Sequence, residues 1–388
     1  MLLISTATTV GLLALALLLP VPFVKVSPGP TFNVIGTDDG RDVIDIQGAR
    51  TYPVTGALDM TTVLESGGPR GGLTFVNALT AWFSPTDVVV PRELLFPDDV
   101  TGEQVRQRQA VLFSTSGSNA VAAALDFLDL PVGTAIVVTA VYGDTPADGV
   151  LEVRDEIIAI NGEPVTITSE VVDAVRSQPI GTEFEITVRR AKAPSESDVD
   201  GSADGADVAD GPDGADGADG ADGADGADGA GDTEIAETTV RITSADKPDA
   251  PGTAFIGIGV GELYAADFPI TFTLEDVGGP SAGLMFAMGI VDKLTPVDLT
   301  GGEHVAGTGA INPSGEVGPI GGIRQKLAGA REAGASLFLV PADNCAETAG
   351  HVPDGLTVTP VTTLSEAVAA VEGFVAGTAL PACPVDPA

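Results

Sequence analysis

The chain has 388 residues, enough for two or three modules with cores of their own. Its 18 Lys and Arg face 55 Asp and Glu, a net charge of −37 that excludes the clustered cations a nucleic-acid partner requires. Only two cysteines occur, Cys345 and Cys383, which is too few for a disulfide scaffold. No Cys/His spacing suits zinc, so neither a metal nor a cofactor is expected.

Residues 1–24 carry no charge and are rich in Leu, Ala and Val. As a helix they would span about 36 Å, enough for the apolar core of a bilayer. A secretory signal peptide is the rival reading, but Pro20-Val21-Pro22-Phe23-Val24 offers no small-x-small cleavage site. The expectation is an uncleaved single-pass transmembrane helix over 1–24 in the cell membrane, with the rest of the chain outside the cytoplasm. In that compartment Cys345 and Cys383 can close one disulfide; two free thiols are the alternative.

Residues 25–130 read as a supporting module. Val26 to Gly36 is extended because of Pro28 and Pro30. Strand candidates lie at Thr51–Val54 and Leu73–Val76, and a long helical pattern runs from Glu103 to Leu128. Ser114, Ser116 and Ser118 in that helix read as caps or surface positions.

Residues 131–246 form a β-rich module. Ala135–Val141 is an apolar strand, and Leu151–Gly162 is an amphipathic run closed by an Asn-Gly turn. Ser169–Gln178 is a helix with Val171, Val172 and Val175 at helical spacing, and Phe184–Arg189 is another strand. This order, with D-E-I-I-A-I-N-G as its most recognisable stretch, resembles a PDZ domain. The resemblance implies a peptide groove between Ala135–Val141 and the helix, with the carboxylate loop at Val132, Gly133 and Thr134 and the groove wall starting at Ala135 and Ile136. The Gly-Leu-Gly-Phe pattern of many such loops is absent, and a PDZ fold serving only as a spacer is the other reading. Residues at about 191–234 are Gly-Ala-Asp repeats with too little apolar content to offset ordering entropy. Glu237–Ser244 then reads as the strand partner of Phe184–Arg189, which makes the repeats an oversized hairpin tip.

The last module spans 250–376, before a tail at 377–388. T-A-F-I-G-I-G-V-G-E-L from Thr253 and T-F-T-L-E from Thr271 read as strands, and an apolar helix starts at Ser281 within Gly279-Pro280-Ser281-Ala282-Gly283. A second helix opens at Gly321-Gly322 and carries Lys326 in its first turns; strands at Leu337–Pro341 and Leu356–Val361 and a helix at Leu364–Val375 follow. Alternating strands and helices make this an α/β or α+β module. A Ser at one helix start and a Lys at another can form a nucleophile–base pair without His. The same Ser also fits G-x-S-x-G, the turn of α/β-hydrolases, with Asp343 and His351 in the required order. Against that, about a hundred residues follow Ser281 and few strand–helix units precede it. Taken singly, a Gly-flanked Ser is an N-cap and a first-turn Lys a solvated charge.

Taken together, Gly279–Gly283, Thr308-Gly309, Pro319–Leu327, the stretch Ala328–Gly334 and the strand Leu337–Pro341 resemble the proteolytic domain of the Lon family of serine–lysine peptidases. The resemblance puts Ser281 on the nucleophile, Lys326 on the general base and Thr308 on a residue that orients them, with Gly279, Pro280 and Ala282 shaping the nucleophile turn. Arg324 falls on a basic position outside the chemistry. Gly278 stands where the family has Asp, and Ala310 where it has an acid. A Lys at about 10.4 is protonated at neutral pH, so Lys326 must be desolvated to act, and Ile323, Leu327 and Ala330 supply an apolar helix face. No G-x-x-x-x-G-K-[ST] occurs. The expectation is therefore a membrane-anchored, ATP-independent serine endopeptidase acting on unfolded or flexible exported protein segments, with the PDZ module presenting or gating them. Such domains form rings, which implies a homo-oligomer. A non-catalytic PDZ adaptor on a Lon-like fold is the alternative.

Overall fold

The computed structural model describes all residues except 1–3, 5, 7–18, 69–71, 97–100, 192–234, 249, 275–276 and 385–388. Its longer elements are, in chain order, β1 (Phe23–Asn33), β2 (Ala57–Ser66), α1 (Phe75–Trp82), β3 (Val88–Pro91), α2 (Arg92–Leu95) and α3 (Gly102–Phe127). Next come β4 (Gly133–Val141), β5 (Glu156–Ile160), α4 (Thr168–Arg176), β6 (Glu183–Ala191), β7 (Ile235–Thr243) and β8 (Ile258–Ala265). The chain closes with α5 (Gly283–Leu294), β9 (His304–Gly307), α6 (Ile323–Ala333), β10 (Leu337–Pro341), α7 (Cys345–Thr348), β11 (Thr357–Val361) and α8 (Leu364–Val375). Two compact units result, Met1–Thr134 with Leu263–Ala388, and Ala135–Glu262.

The first unit is built on a sheet of order β11-β10-β9-β2-β1-β3. Its β11, β10, β9 and β2 are parallel, whereas β1 pairs antiparallel with both β2 and β3. A parallel strand covered on both faces is apolar throughout. β10 obeys this: Leu337 and Leu339 enter one core with α3, α5 and α8, while Phe338 and Val340 enter another with α6. α5 sits so deep that every residue from Gly283 to Lys293 is buried, which is why its sequence is apolar all round. α3 starts with a capping box, in which Thr101 and Gln104 satisfy each other's free amides.

Several expectations are corrected here. Residues 25–130 are not a separate module: β1, β2 and β3 belong to the same sheet as β9, β10 and β11. Sheet completion overrides sequence distance, since the C-terminal strands alone leave the β9 edge bare. Thr51–Val54 is irregular, and Leu73–Val76 yields a two-residue strand before turning into α1. The anchor expected over 1–24 falls mostly outside the described residues, but its last part does not: Pro20–Val21 is strand and β1 begins at Phe23. Among the described residues no helix is long and apolar enough to cross a membrane. Cys345 and Cys383 form a disulfide.

The second unit holds a sheet of order β7-β6-β5-β4-β8. β6 and β7 pair antiparallel from Glu183↔Thr243 to Ala191↔Ile235, the partnership expected from sequence. The Gly-Ala-Asp repeats between them lie outside the described residues. Asn161 and Gly162 both take positive φ, 51° and 80°, and close the two-residue hairpin after β5. The strand at Ile258–Ala265, assigned from sequence to the peptidase module, is instead β8 of this sheet. Arg190 holds the buried Asp155 through two bonds of 2.6 Å each.

Candidate active site

Ser281 and Lys326 are each presented by the start of a helix in the first unit. Ala282 is the N-cap of α5, so Ser281 lies in the turn before the helix rather than in it. Gly279 N–H donates to Gln109 O at 3.2 Å, and Pro280 O accepts from Ser116 Oγ at 2.9 Å, so α3 holds the turn from outside. α6 begins after Gly322, whose φ of 78° and approach to Val63, where a Cβ would lie 2.6 Å from Cγ1, admit only glycine. Lys326 N–H then donates to Gly322 O at 3.0 Å, in the first turn of α6.

From there the Lys326 side chain, 2% exposed, runs to the nucleophile turn. Its Nζ lies 2.8 Å from Ser281 Oγ and 2.8 Å from Thr308 Oγ1. Thr308 Oγ1 donates in turn to Ser281 O at 3.1 Å, and Gly309 N–H donates to the same carbonyl at 3.0 Å. Thr308 thus ties the amine and the turn together. Burial pushes the Lys326 amine down from 10.5 to about 7. An amine with that affinity is substantially neutral at physiological pH, and a neutral amine can accept the Ser281 proton across 2.8 Å.

The pair opens on a cleft of about 1030 Å³, walled by Thr61–Glu65 of β2, the Val277–Gly278 and Pro280–Ala282 turn, the Pro319–Gly322 loop, and Asp343, Asn344 and Glu347. Asn344, almost fully buried, takes Ile320 N–H on Oδ1 and donates from Nδ2 to Ile320 O, both at 2.9 Å, which pins the loop leading to Lys326. Among the described residues the hydrogen bond to Ser281 Oγ comes from Lys326, not from an imidazole, and His304 is engaged with Asp59 Oδ2 at 2.8 Å. The Ser281–Asp343–His351 arrangement is therefore not formed.

Sequence reasoning missed the contribution of α3. Ser116, read as a cap or surface position, is buried on Pro280; Ser118 is buried and donates to Tyr264 O; Asn119 Nδ2 donates to Ile311 O at 3.0 Å. The available signal was polar residues at 109, 116 and 119 sharing one face of a long helix. Gly278 also has a physical explanation. A Cβ there would lie 2.7 Å from Gln109 Cβ, so any side chain at 278 would require α3 or the turn to shift.

The expected peptide-binding residues divide between the units: Val132, Gly133 and Thr134 belong to the first, where Val132 packs on its core, and Ala135 and Ile136 to the second. Gly133, Thr134, Ala135 and Ile136 lie in β4, and Ile136 is buried. β4 is enclosed between β5 and β8, so among the described residues β8 is the edge strand on that side of the sheet. A cavity of about 500 Å³ lies between the α4 residues Val171 and Val175 and the stretch Ile256, Ile258 and Val260.

Comparison with known proteins gives two family matches. Residues 275–372 match the Lon protease (S16) C-terminal proteolytic domain, and residues 137–190 match the PDZ domain family. Lon protease of Rhizobium meliloti (strain 1021) is 36% identical over 94 residues, 24% of this chain and 11% of the relative. Lon protease of Azospirillum brasilense is 40% identical over 91 residues, 23% of this chain and 11% of the relative. The chain thus covers about a tenth of the length of these relatives. The PDZ domain of an SdrC-like protein from Listeria monocytogenes aligns at 17% identity over 32% of this chain and 86% of that one, with a TM-score of 0.19, too loose a likeness to argue from.

Proposed function

We propose that this chain, which carries a Lon-type serine peptidase domain and a PDZ domain, is an ATP-independent endopeptidase for unfolded or flexible protein segments. The observation that carries the reading is the buried Lys326 amine held 2.8 Å from Ser281 Oγ by Thr308. Ser281 Oγ attacks the peptide carbonyl carbon as Lys326 Nζ takes its proton. Backbone amides of the Ser281 turn hold the oxyanion, and the proton passes to the leaving amine as the C–N bond breaks. Water then releases the acyl group, with Lys326 again the base.

The cleft supports an extended substrate. β9 pairs with β2 only from Ala57 to Met60, so beyond Thr61 that edge of β2 carries no described strand and lies along the cleft. An unfolded segment can add there by main-chain hydrogen bonds, which a folded substrate cannot do. The cavity between β8 and α4 suits a second extended peptide in the same mode, with the PDZ domain presenting or gating substrate. Uncharged residues 1–19 have the length of a membrane span, and the disulfide supports an extracytoplasmic catalytic part.

The test incubates the full chain in detergent with an unfolded protein, without ATP, beside Ser281→Ala and Lys326→Ala. Cleavage by the parent alone is the expected result. Equal cleavage by Ser281→Ala, or none by the well-folded parent, refutes the reading, the latter in favour of an adaptor. Light scattering on the same sample checks the ring assembly implied by the family resemblance.

A further inference from the structure

The first unit exposes an apolar corner where the chain leaves its uncharged N-terminal segment. α1 contains no ionisable residue, which is unusual on the surface of a chain with 55 acids. Its inner face is made by Ala78 and Ala81, both buried. Its outer face carries Phe75, Leu79 and Trp82, spaced i, i+4 and i+7, and all three are exposed, Trp82 by 76%. Phe83, 82% exposed, extends this stripe, and Leu94 of the neighbouring α2 is 74% exposed. A stripe at helical spacing is normally covered. No described residue covers this one.

Both helices are stitched to the residues that follow the uncharged segment. Phe75 N–H donates to Leu19 O at 3.0 Å, Thr74 pairs with Pro20, and Arg92 N–H donates to Pro22 O at 3.0 Å. Leu19 is itself exposed. The patch therefore begins within a few residues of where a membrane span would end, and it holds the aromatic residues that favour the bilayer interface. Leu95, next to Leu94, lines the Ser281 cleft.

We infer that the α1–α2 corner docks on the lipid bilayer surface and holds the catalytic cleft against the membrane. The inference rests on the anchor reading given above. Its occupant is a bilayer because the uncharged segment that delivers the chain to this corner has the length and composition of a span. Zwitterionic lipid is the appropriate surface, since a net charge of −37 disfavours an anionic one. Docking would favour substrates emerging at or near the membrane surface.

Trp82 is the chain's one tryptophan and reports the contact directly. The full chain is reconstituted into phosphatidylcholine vesicles, floated on a density gradient, and its tryptophan emission measured with and without lipids brominated near the headgroup end of the acyl chain. The expected result is flotation with emission reduced by about twofold in brominated lipid, as for an interfacial aromatic. Phe83→Glu combined with Leu94→Glu, both exposed and outside the site, should still float and lose most of the quenching. Flotation of the parent without quenching overturns the docking surface and leaves the anchor intact. Failure to float overturns the anchor and the docking with it. An emission shift that depends on protein concentration in detergent, without lipid quenching, identifies a second copy as the occupant and also refutes the inference.

Discussion

Lys326→Met isolates the cost of keeping a buried amine near neutrality. The unfolded chain retains this proton up to about pH 10.5, whereas the folded chain releases it near 7. Between those values the unfolded state binds more protons, so stability rises with pH across the window and is flat in this group below it. At about 1.36 kcal/mol per pH unit, the fall from 10.5 to about 7 amounts to about 5 kcal/mol. Methionine removes that penalty but also the hydrogen bonds to Ser281 and Thr308, worth about 2 kcal/mol together. The variant is therefore expected to be more stable than the parent by about 3 kcal/mol at pH 7, and less stable by about 2 kcal/mol above pH 10. Urea unfolding of both proteins at a series of pH values checks this, because other titrating groups cancel in the difference. A difference that stays constant from pH 7 to 10 would mean an ordinary lysine, and the general-base reasoning would fall with it.

The same amine sets the pH profile of cleavage: kcat/KM should rise about tenfold per pH unit below 7 and level off above it, which initial rates on an unstructured peptide will show. Thr308→Val should lower kcat by about tenfold to a hundredfold with KM little changed, since Thr308 touches Lys326 and the Ser281 carbonyl but does not line the cleft. Reducing the Cys345–Cys383 bridge, 38 residues apart, should cost about 4 kcal/mol of stability by the chain-entropy estimate, read as a lower urea midpoint. Gly278→Asp should destabilise the turn and lower activity, because the new Cβ would lie 2.7 Å from Gln109 Cβ; Gln109→Gly in the same chain, which removes that atom, should recover part of both, and no recovery would refute the α3 contact as the reason for glycine.

How much was readable in the chain depended on the range of the forces involved. The Ser281 and Lys326 motifs are local: glycine-permitted turns and helix starts depend on neighbours within a few residues, and several such motifs in order carried the resemblance that singled these two residues out. The β6–β7 pairing was equally legible, because two alternating runs flank one polar insertion. Residues 25–130 were misread as a separate support because their role is to pair, through β2, with β9 some 245 positions later, as in the His304–Asp59 contact. No local pattern encodes such a partner. The neighbours of β4 were illegible for the same reason, since the strand that encloses it lies about 120 residues downstream and reads by itself as part of the next module. Sequence alone determined which groups can do chemistry: a serine and a lysine, each at a helix start. Tertiary packing decided that they meet, that the lysine loses its water and so its charge, and that α3 closes over the turn. Desolvation and long-range strand pairing are properties of assembled surfaces, and a linear pattern does not contain them.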